Sequence, residues 1–460
     1  MGQNGNNFLT PDLHLNCITN QYTSMKIGLM SNKLFLLLLS FFITQWVHGQ
    51  FLVDMIDTSD VSDKGLWAVY SKTDHLQISG YFQPQFQVAQ TKGAKNFSGG
   101  DFSANSASRF MIRRGRIRFD YAHFNPDGLP QAQVVFQFDG SERGVMIRDF
   151  WGRYYENKLQ LFSFTAGMFA RPFGYELNLS SADRETPERG RMSQILMKTE
   201  RDLGMMATFE PRKKSNPLRL LKFDAGVFNG QGLTGPEEYD SYKDFISRLS
   251  LKPYSISKTV SLSAGLSFFE GGIFQNSNFI YRMEDENGTK HFSVDSSVNN
   301  LGKKAPRKYR GLDAQLKIKN GWGKTELRGE YWWGTQSSSA QESSTPGTAL
   351  NQPYYIREFN GAFIYFLQNI INEKHMLAFK YDFYDPNKML SGKEIGAPDS
   401  NTHAGDIKYN TFGAGYIYFA DAHLKILVWY DVIKNEITQL DGYTSDIRDN
   451  IFTLRVQFRF

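Results

Sequence analysis

Ile451-Phe-Thr-Leu-Arg-Val-Gln-Phe-Arg-Phe460 closes the chain, and its alternation decides how everything before it is read. Phe452, Leu454, Val456, Phe458 and Phe460 fall on one face of an extended strand, while Thr453, Arg455, Gln457 and Arg459 fall on the other, because successive strand side chains point to opposite sides. Such a strand suits two settings. In a transmembrane β-barrel the apolar face meets lipid and the polar face meets a water-filled lumen. In a soluble sandwich it would be an edge strand with one face on the core.

The same period recurs upstream. Leu76, Ile78, Phe82, Phe86 and Val88 alternate with Gln77, Ser79, Tyr81, Gln83, Gln85 and Gln87. Val260, Leu262, Ala264, Leu266 and Phe268 alternate with serines and a glycine, and Leu312, Ala314, Leu316 and Ile318 alternate with Asp313, Gln315, Lys317 and Lys319. The pattern predicts strands over 76–90, 108–122, 130–139, 145–156, 159–171, 202–212, 218–229, 243–253, 258–270, 307–320, 322–335, 355–367, 373–384, 407–420, 422–435 and 448–460. That is an even set of 16, as a bacterial single-chain barrel requires.

Connections after even-numbered strands are mostly short, such as 156–158 and 319–321. Those after odd-numbered strands are mostly long: 91–107, 172–201, 230–242, 271–306, 336–354, 385–406 and 436–447, with 140–144 the exception. Outer-membrane barrels have short periplasmic turns and long outer loops, and a sandwich has no reason to sort loop length by strand parity. The expected fold is therefore all-β, a transmembrane antiparallel β-barrel over 76–460, with its closing strand resembling the terminal strand of bacterial outer-membrane barrels.

Composition agrees. Apolar residues are 41% and aromatic residues 15%, with 38 Phe, 23 Tyr and a mean hydropathy of −0.44, which excludes a helical membrane protein and suits alternating strands with an aromatic girdle. Residues 33–49 place a short apolar run, Leu34 to Val47, behind Lys26 and Lys33. It is too short to span a bilayer and reads as a signal peptide cut near Gly49, with Met25 the expected start. The expected domains are 1–49 as upstream extension plus signal peptide, 50–75 as a short periplasmic segment, and the barrel. Cys17, the one cysteine, falls in the part expected to be lost, so disulfides, thiolate metal sites and cysteine nucleophiles are excluded from the remainder. Removing Asp12, Lys26 and Lys33 leaves +4 of the formal +5, too mild for a nucleic-acid partner. The chain carries no Walker loop, dinucleotide fingerprint or spaced metal-ligand set, so no cofactor is expected.

Chemistry concentrates in two places. In the second strand, Ile117, Phe119 and Tyr121 fix the lipid face, so Arg114, Arg116 and Arg118 share the lumen face about 6.8 Å apart. A guanidinium on the lipid face would cost about 2–4 kcal/mol near the midplane, which decides the facing. Such a row attracts anions, unless Asp120, Asp139, Asp149 or Glu156 neutralises it. Arg113 falls on the wrong face and marks a bulge or an interface position. The third outer connection, 172–201, carries Arg184, Arg189, Arg191, Lys198 and Arg201 against Glu176, Asp183, Glu185, Glu188 and Glu200, a balance of zero. The strand before it is apolar on both faces, with Leu161 and Phe169 against Phe162, Phe164 and Met168, as a strand covered on its inner side would be.

Gly167-x-Phe169-x-x-Pro172-Phe173-Gly174-x-Glu176, Glu188-Arg189 and Arg201-Asp202-Leu203-Gly204 resemble the phosphate-selective porin O/P family. Val227-Phe228-Asn229-Gly230, Lys243-Asp244-Phe245-x-x-Arg248-Leu249 and Lys380-Tyr381-Asp382-x-Tyr384-Asp385-Pro386-Asn387 look like later blocks of the same family. The resemblance implies a 16-stranded, trimeric outer-membrane porin with an inward-folded third outer loop. The expected function is a water-filled, anion-preferring channel for passive uptake of small solutes such as phosphate or polyphosphate. Its pore-lining candidates are Arg114, Arg116, Arg118, Arg184, Arg189, Arg191 and Arg201. Expected partners are small anionic solutes, outer-membrane lipid and lipopolysaccharide, and the barrel-assembly machinery through the strand ending at Phe460. Alternatives are a non-selective porin, or an adhesion or assembly barrel acting through loops 271–306 and 336–354. A barrel enzyme would need a Ser–His or Asp–His constellation, whereas His123, His291, His375, His403 and His423 are scattered.

Overall fold

A computed structural model describes residues 75–233, 235 and 237–460; the expected upstream extension, signal peptide and segment 50–74 lie outside them. The strands are β1 (Leu76–Ala89), β2 (Ser108–Phe124), β3 (Pro130–Ser141), β4 (Gly144–Tyr155), β5 (Phe162–Ala170), β6 (Arg201–Phe209), β7 (Leu221–Phe228), β8 (Asp244–Ser255), β9 (Val260–Phe274), β10 (Ile280–Glu286), β11 (Thr289–Asp295), β12 (Lys304–Asn320), β13 (Gly323–Ser338), β14 (Tyr354–Ile370), β15 (Asn372–Asp385), β16 (Tyr409–Phe419), β17 (Leu424–Asn435) and β18 (Ile451–Arg459). Sixteen of them run antiparallel, each beside its sequence neighbour, with β9 passing directly to β12 and β18 returning to β1. The sheet is a closed barrel. Closure pairs every backbone group laterally, the condition for strands to cross a bilayer.

The closing strand behaves as its alternation requires. Thr453, Arg455 and Gln457 are buried on the inner side, whereas Phe458 and Phe460 are exposed outside. Phe460 exchanges backbone hydrogen bonds with Gly80 at 3.0 Å in both directions. Its ring fills the space a side chain at Gly80 would occupy: a Cβ there would collide with the ring and with the Arg116 carbonyl oxygen. Glycine in a strand interior often marks such a close approach, and here it seats the last residue at the seam. Ile78, Phe82, Ile117, Phe164, Leu266, Leu312 and Phe379 continue the exposed apolar outer face around the barrel.

Two local readings change. Segment 271–306 is more than a loop. It holds the β10–β11 hairpin, turned at Asn287-Gly288 with φ of 55° and 85°, and β10 joins the long-loop end of β14 in parallel register, Tyr281 stacking on Tyr355 at 4.3 Å. β5 is apolar inside only at one end. Leu161 lies before the strand, and Ser163 and Thr165 occupy its inner face, leaving Phe169 as the inward apolar residue, packed with Phe173, Leu177 and Met192 of the following segment.

Candidate functional site

Two β-bulges crowd arginines onto the inner wall. Across β1 and β2, Gln83 faces Arg114 but Pro84 faces Ile112, so Arg113 is the extra residue. Proline has no N–H for the ladder, and a bulge is where a strand tolerates it. Across β3 and β4, Gln137 faces Asp149 and Phe138 faces Ile147, so Arg148 is extra. Each bulge turns a residue that alternation assigns to lipid toward the carboxylates of segment 171–200 instead.

Glu188 is where those arginines meet. Its carboxylate takes a two-pronged bond from Arg114 at 2.9 and 2.5 Å, one from Arg113 at 2.8 Å and one from Arg455 of β18 at 3.1 Å. Burial alone would raise this carboxyl; the three guanidinium groups outweigh it and hold it well below the usual carboxylate range. Glu200 is the second clasp. It bonds Arg148 at 2.8 Å and pairs with Arg189 at 3.3 Å and Arg201 at 3.7 Å. Again burial opposes ionisation and Arg148, Arg189 and Arg201 win. A third contact crosses to the opposite wall, where Arg328 of β13 bonds Glu185 at 2.5 Å. Arg116 bonds Ser181 Oγ and Tyr81 Oη at 2.6 Å, and Lys425 of β17 donates to the Ala182 carbonyl at 2.6 Å. Residues 172–200 therefore bond inward-facing side chains from β1, β2, β4, β9, β13, β14, β17 and β18.

The aromatic contacts concentrate from β9 to β17, with Phe169 of β5 and Phe228 of β7 at the edge of the same cluster. Phe173 meets Trp332 edge-on at 4.7 Å, with Tyr309 and Phe269 at 6.4 Å. Met192, Ile195 and Leu196, on the short helix α1 (Arg191–Leu196), join Phe359, Phe363, Tyr384 and Trp429 in the same buried cluster. Full burial of such side chains stabilises by about 1.5–3 kcal/mol each. Glu176 fixes the turn before the helix, accepting from Gly190 N at 2.9 Å, Ser193 Oγ at 2.8 Å and Tyr365 Oη at 2.5 Å. Glu330 of β13 accepts from the backbone N–H groups of Tyr175 and Glu176.

The expected arginines divide by exposure. Arg114 and Arg116 keep only 7% and 5% of their side-chain surface, whereas Arg113 keeps 27%, Arg118 31% and Lys222 of β7 33%. Arg116 pairs with Asp139 and Arg118 with Asp120; Arg201 pairs with Asp149. Glu156 instead caps its own turn, accepting from Leu159 N. Arg184 is buried, donates to the Leu179 carbonyl at 3.3 Å and leaves Nε and Nη1 without a hydrogen-bond partner among the described residues. Arg191 lies between the Phe97 and Tyr409 rings, 4.7 and 3.9 Å from their centroids. Inward cations that pattern reading did not single out are Arg153, which bonds Thr165 and stacks on Trp151, Lys222, a third exposed, and Lys252, mostly covered and paired with the more exposed Glu210. Among the histidines, His375 meets Tyr416 Oη, His403 meets Tyr355 Oη and His423 meets the Arg459 carbonyl.

Solved structures with this architecture are bacterial outer-membrane channels. The barrel superimposes on OprB of Pseudomonas putida (TM-score 0.54, 8% identity, covering 86% of this chain and 97% of that one). It likewise superimposes on an anion-selective porin from Comamonas acidovorans (0.50, 9%, 84% and 99%) and on the outer-membrane channel DcaP of Acinetobacter baumannii (0.50, 13%, 84% and 97%). The fold is that of bacterial outer-membrane porins. At these identities the likeness speaks for the fold alone. No protein-family model matches the chain, and no curated protein matches its sequence.

Proposed function

We propose that this barrel is an outer-membrane porin that passes small solutes passively, prefers anions, and has its lumen narrowed by segment 172–200. The observation that carries the anion preference is the unequal exposure of the inward charges. Arg113, Arg118 and Lys222 stay between a quarter and a third exposed on their side chains, and Arg153 is half-buried on the same inner face. Their partners Glu188, Asp120 and Asp224 keep 5%, 6% and 6%, whereas the Lys252–Glu210 and Arg116–Asp139 pairs run the other way, with the acid the more exposed. Water and ions that enter meet the first three cations more than their counter-charges, and a low-dielectric wall strengthens that bias. The narrowing rests on the contacts of residues 172–200 with inward side chains from both sides of the barrel.

Phosphate as the favoured anion rests on the resemblance to the phosphate-selective porin O/P family. The clasped arginines Arg114, Arg116, Arg184, Arg189, Arg191 and Arg201 are the groups such an anion would reach if the loop yields. A homotrimer and assembly through the strand ending at Phe460 belong to the same reading.

The test is single-channel recording in a planar bilayer under a potassium chloride gradient. The reversal potential should have the anion-selective sign, and millimolar phosphate should reduce the chloride current. A cation-selective sign removes the anion preference, absence of block removes phosphate, and absence of any conductance removes the channel.

A further inference from the structure

The outer wall carries one feature that the pore does not use. Arg310 of β12 points outward by strand parity, between Leu312 below and Lys308 above. Its neighbours in register are Phe268 of β9 and Trp333 of β13. The guanidinium lies 3.8 Å over the Phe268 ring, and Trp333 stacks with Tyr331. Outward aromatic rings near a barrel's rim mark the membrane–water interface, and a guanidinium facing lipid is tolerated only close to that level.

The charges here are unequal. Lys308 reaches Glu270 at 2.7 Å and Arg310 reaches the same carboxylate at 3.7 Å, so two cations share one acid, all three between a third and a half exposed. Lys304 lies further up the same outward face, 5.6 Å from the Tyr242 ring centroid, with no carboxylate pair among the described residues. Three other outward rim cations have an acid each: Lys434 with Asp446, Lys388 with Glu358 and Lys408 with Asp385. Beneath the uneven patch, Leu266, Leu312 and Leu327 offer exposed apolar wall.

A ligand that fits this arrangement has phosphate at the level of the aromatic ring pair and hydrocarbon directly below it. We propose that the outward rim of β9, β12 and β13 binds an anionic, phosphate-bearing lipid of the outer leaflet, with its phosphate on Lys308 and Arg310 and its acyl chains along the leucines. The proposal rests on the barrel being embedded in the membrane and is independent of what the lumen conducts.

The full barrel, inserted into nanodiscs of phosphatidylcholine with a minor fraction of bis-phosphorylated lipid A, tests it. Lipid A retained after extraction into an uncharged detergent is read by native mass spectrometry. The wild type should retain lipid A in preference to phosphatidylcholine. A basic residue near an anionic lipid surface is worth about a fivefold change in binding, so Lys308→Gln with Arg310→Gln should lower retention about 25-fold. Lys434→Gln should leave retention unchanged, and Arg310→Lys, which keeps the charge, should retain most of it. Equal retention by the double variant and the wild type overturns the site, as does equal loss in Lys434→Gln. Displacement of the lipid by millimolar inorganic phosphate also overturns it, because the ligand would then be the free anion. Failure of the wild type to insert removes the membrane reading itself, whereas retention without conductance would leave this site standing and remove the pore.

Discussion

The two sides of the barrel's inner wall solve different problems. From β12 to β17 the wall presents Tyr309, Trp332, Phe359, Phe363, Tyr384 and Trp429, all buried against Phe173, Met192 and Leu196 of the segment after β5. From β1 to β8 it presents Gln83, Gln85, Arg114, Arg116, Gln133, Thr165 and Asp224, with Arg118, Arg153 and Lys222 still reaching water. The first side holds the segment mainly by shape and apolar area, which is insensitive to salt and pH, with polar bonds from Arg328, Glu330 and Lys425 added to it. The second holds it by a few shared carboxylates, which are sensitive to both. A loop fastened in this way can loosen on one side while staying seated on the other.

Removing a carboxylate clasp should have the largest effect. Glu188→Ala leaves Arg113, Arg114 and Arg455 crowded without their common counter-ion, and breaking a buried pair costs about 3–5 kcal/mol. We expect larger single-channel conductance and stronger anion selectivity; conductance identical to wild type would remove Glu188 as a clasp. Phe173→Ala attacks the aromatic side, where truncating a buried phenylalanine costs about 3–5 kcal/mol but strips only one side chain. A lower thermal midpoint with little change in selectivity is expected, and a change in selectivity as large as that of Glu188→Ala would erase the distinction between the two sides.

Acid should separate the sides without mutation. Glu188 and Glu200, which meet the arginines of β2, β4 and β18, have folded-state pKa values below the ordinary one, because those arginines outweigh burial. A depressed carboxyl contributes stability that is present above its unfolded pKa of about 4.3 and lost as pH falls through the folded value. Protease cleavage within 172–200 should therefore stay slow near neutrality and rise below about pH 4, and an unchanged rate at pH 3 would contradict the clasp. The smallest effect is expected for Lys222→Gln. Stability should move by no more than about 0.5 kcal/mol, yet the reversal potential should shift toward cations. No shift would take Lys222 out of the ion path.

Strand parity and loop length made the barrel legible from 76 to 460, because a half-lipid, half-water environment imposes a strict period of two. The same strictness hid the bulges. Arg113-Arg114 and Arg148-Asp149 break the period by one residue, and only the misplaced Arg113 hinted at it. The β10–β11 hairpin had a signal in Asn287-Gly288, which favours a tight turn between alternating residues. The role of Glu188 had none. A charge balance of zero along 172–201 cannot reveal that one glutamate serves arginines at 113, 114 and 455, since that pairing exists only once the first and last strands are joined. Exposure was equally hidden, because alternation tells which face a cation takes and not whether a loop covers it.

The most direct test of the two-sided lumen is cysteine accessibility in the open channel. Cys17 is the sole native cysteine, so in a Cys17→Ser background a new thiol reports its own position. Lys222→Cys and Phe359→Cys are each recorded in a planar bilayer while an anionic methanethiosulfonate reagent is added. The two-sided lumen predicts a stepwise loss of current for Lys222→Cys and none for Phe359→Cys. Equal current loss at both positions, or loss at Phe359→Cys alone, would contradict it.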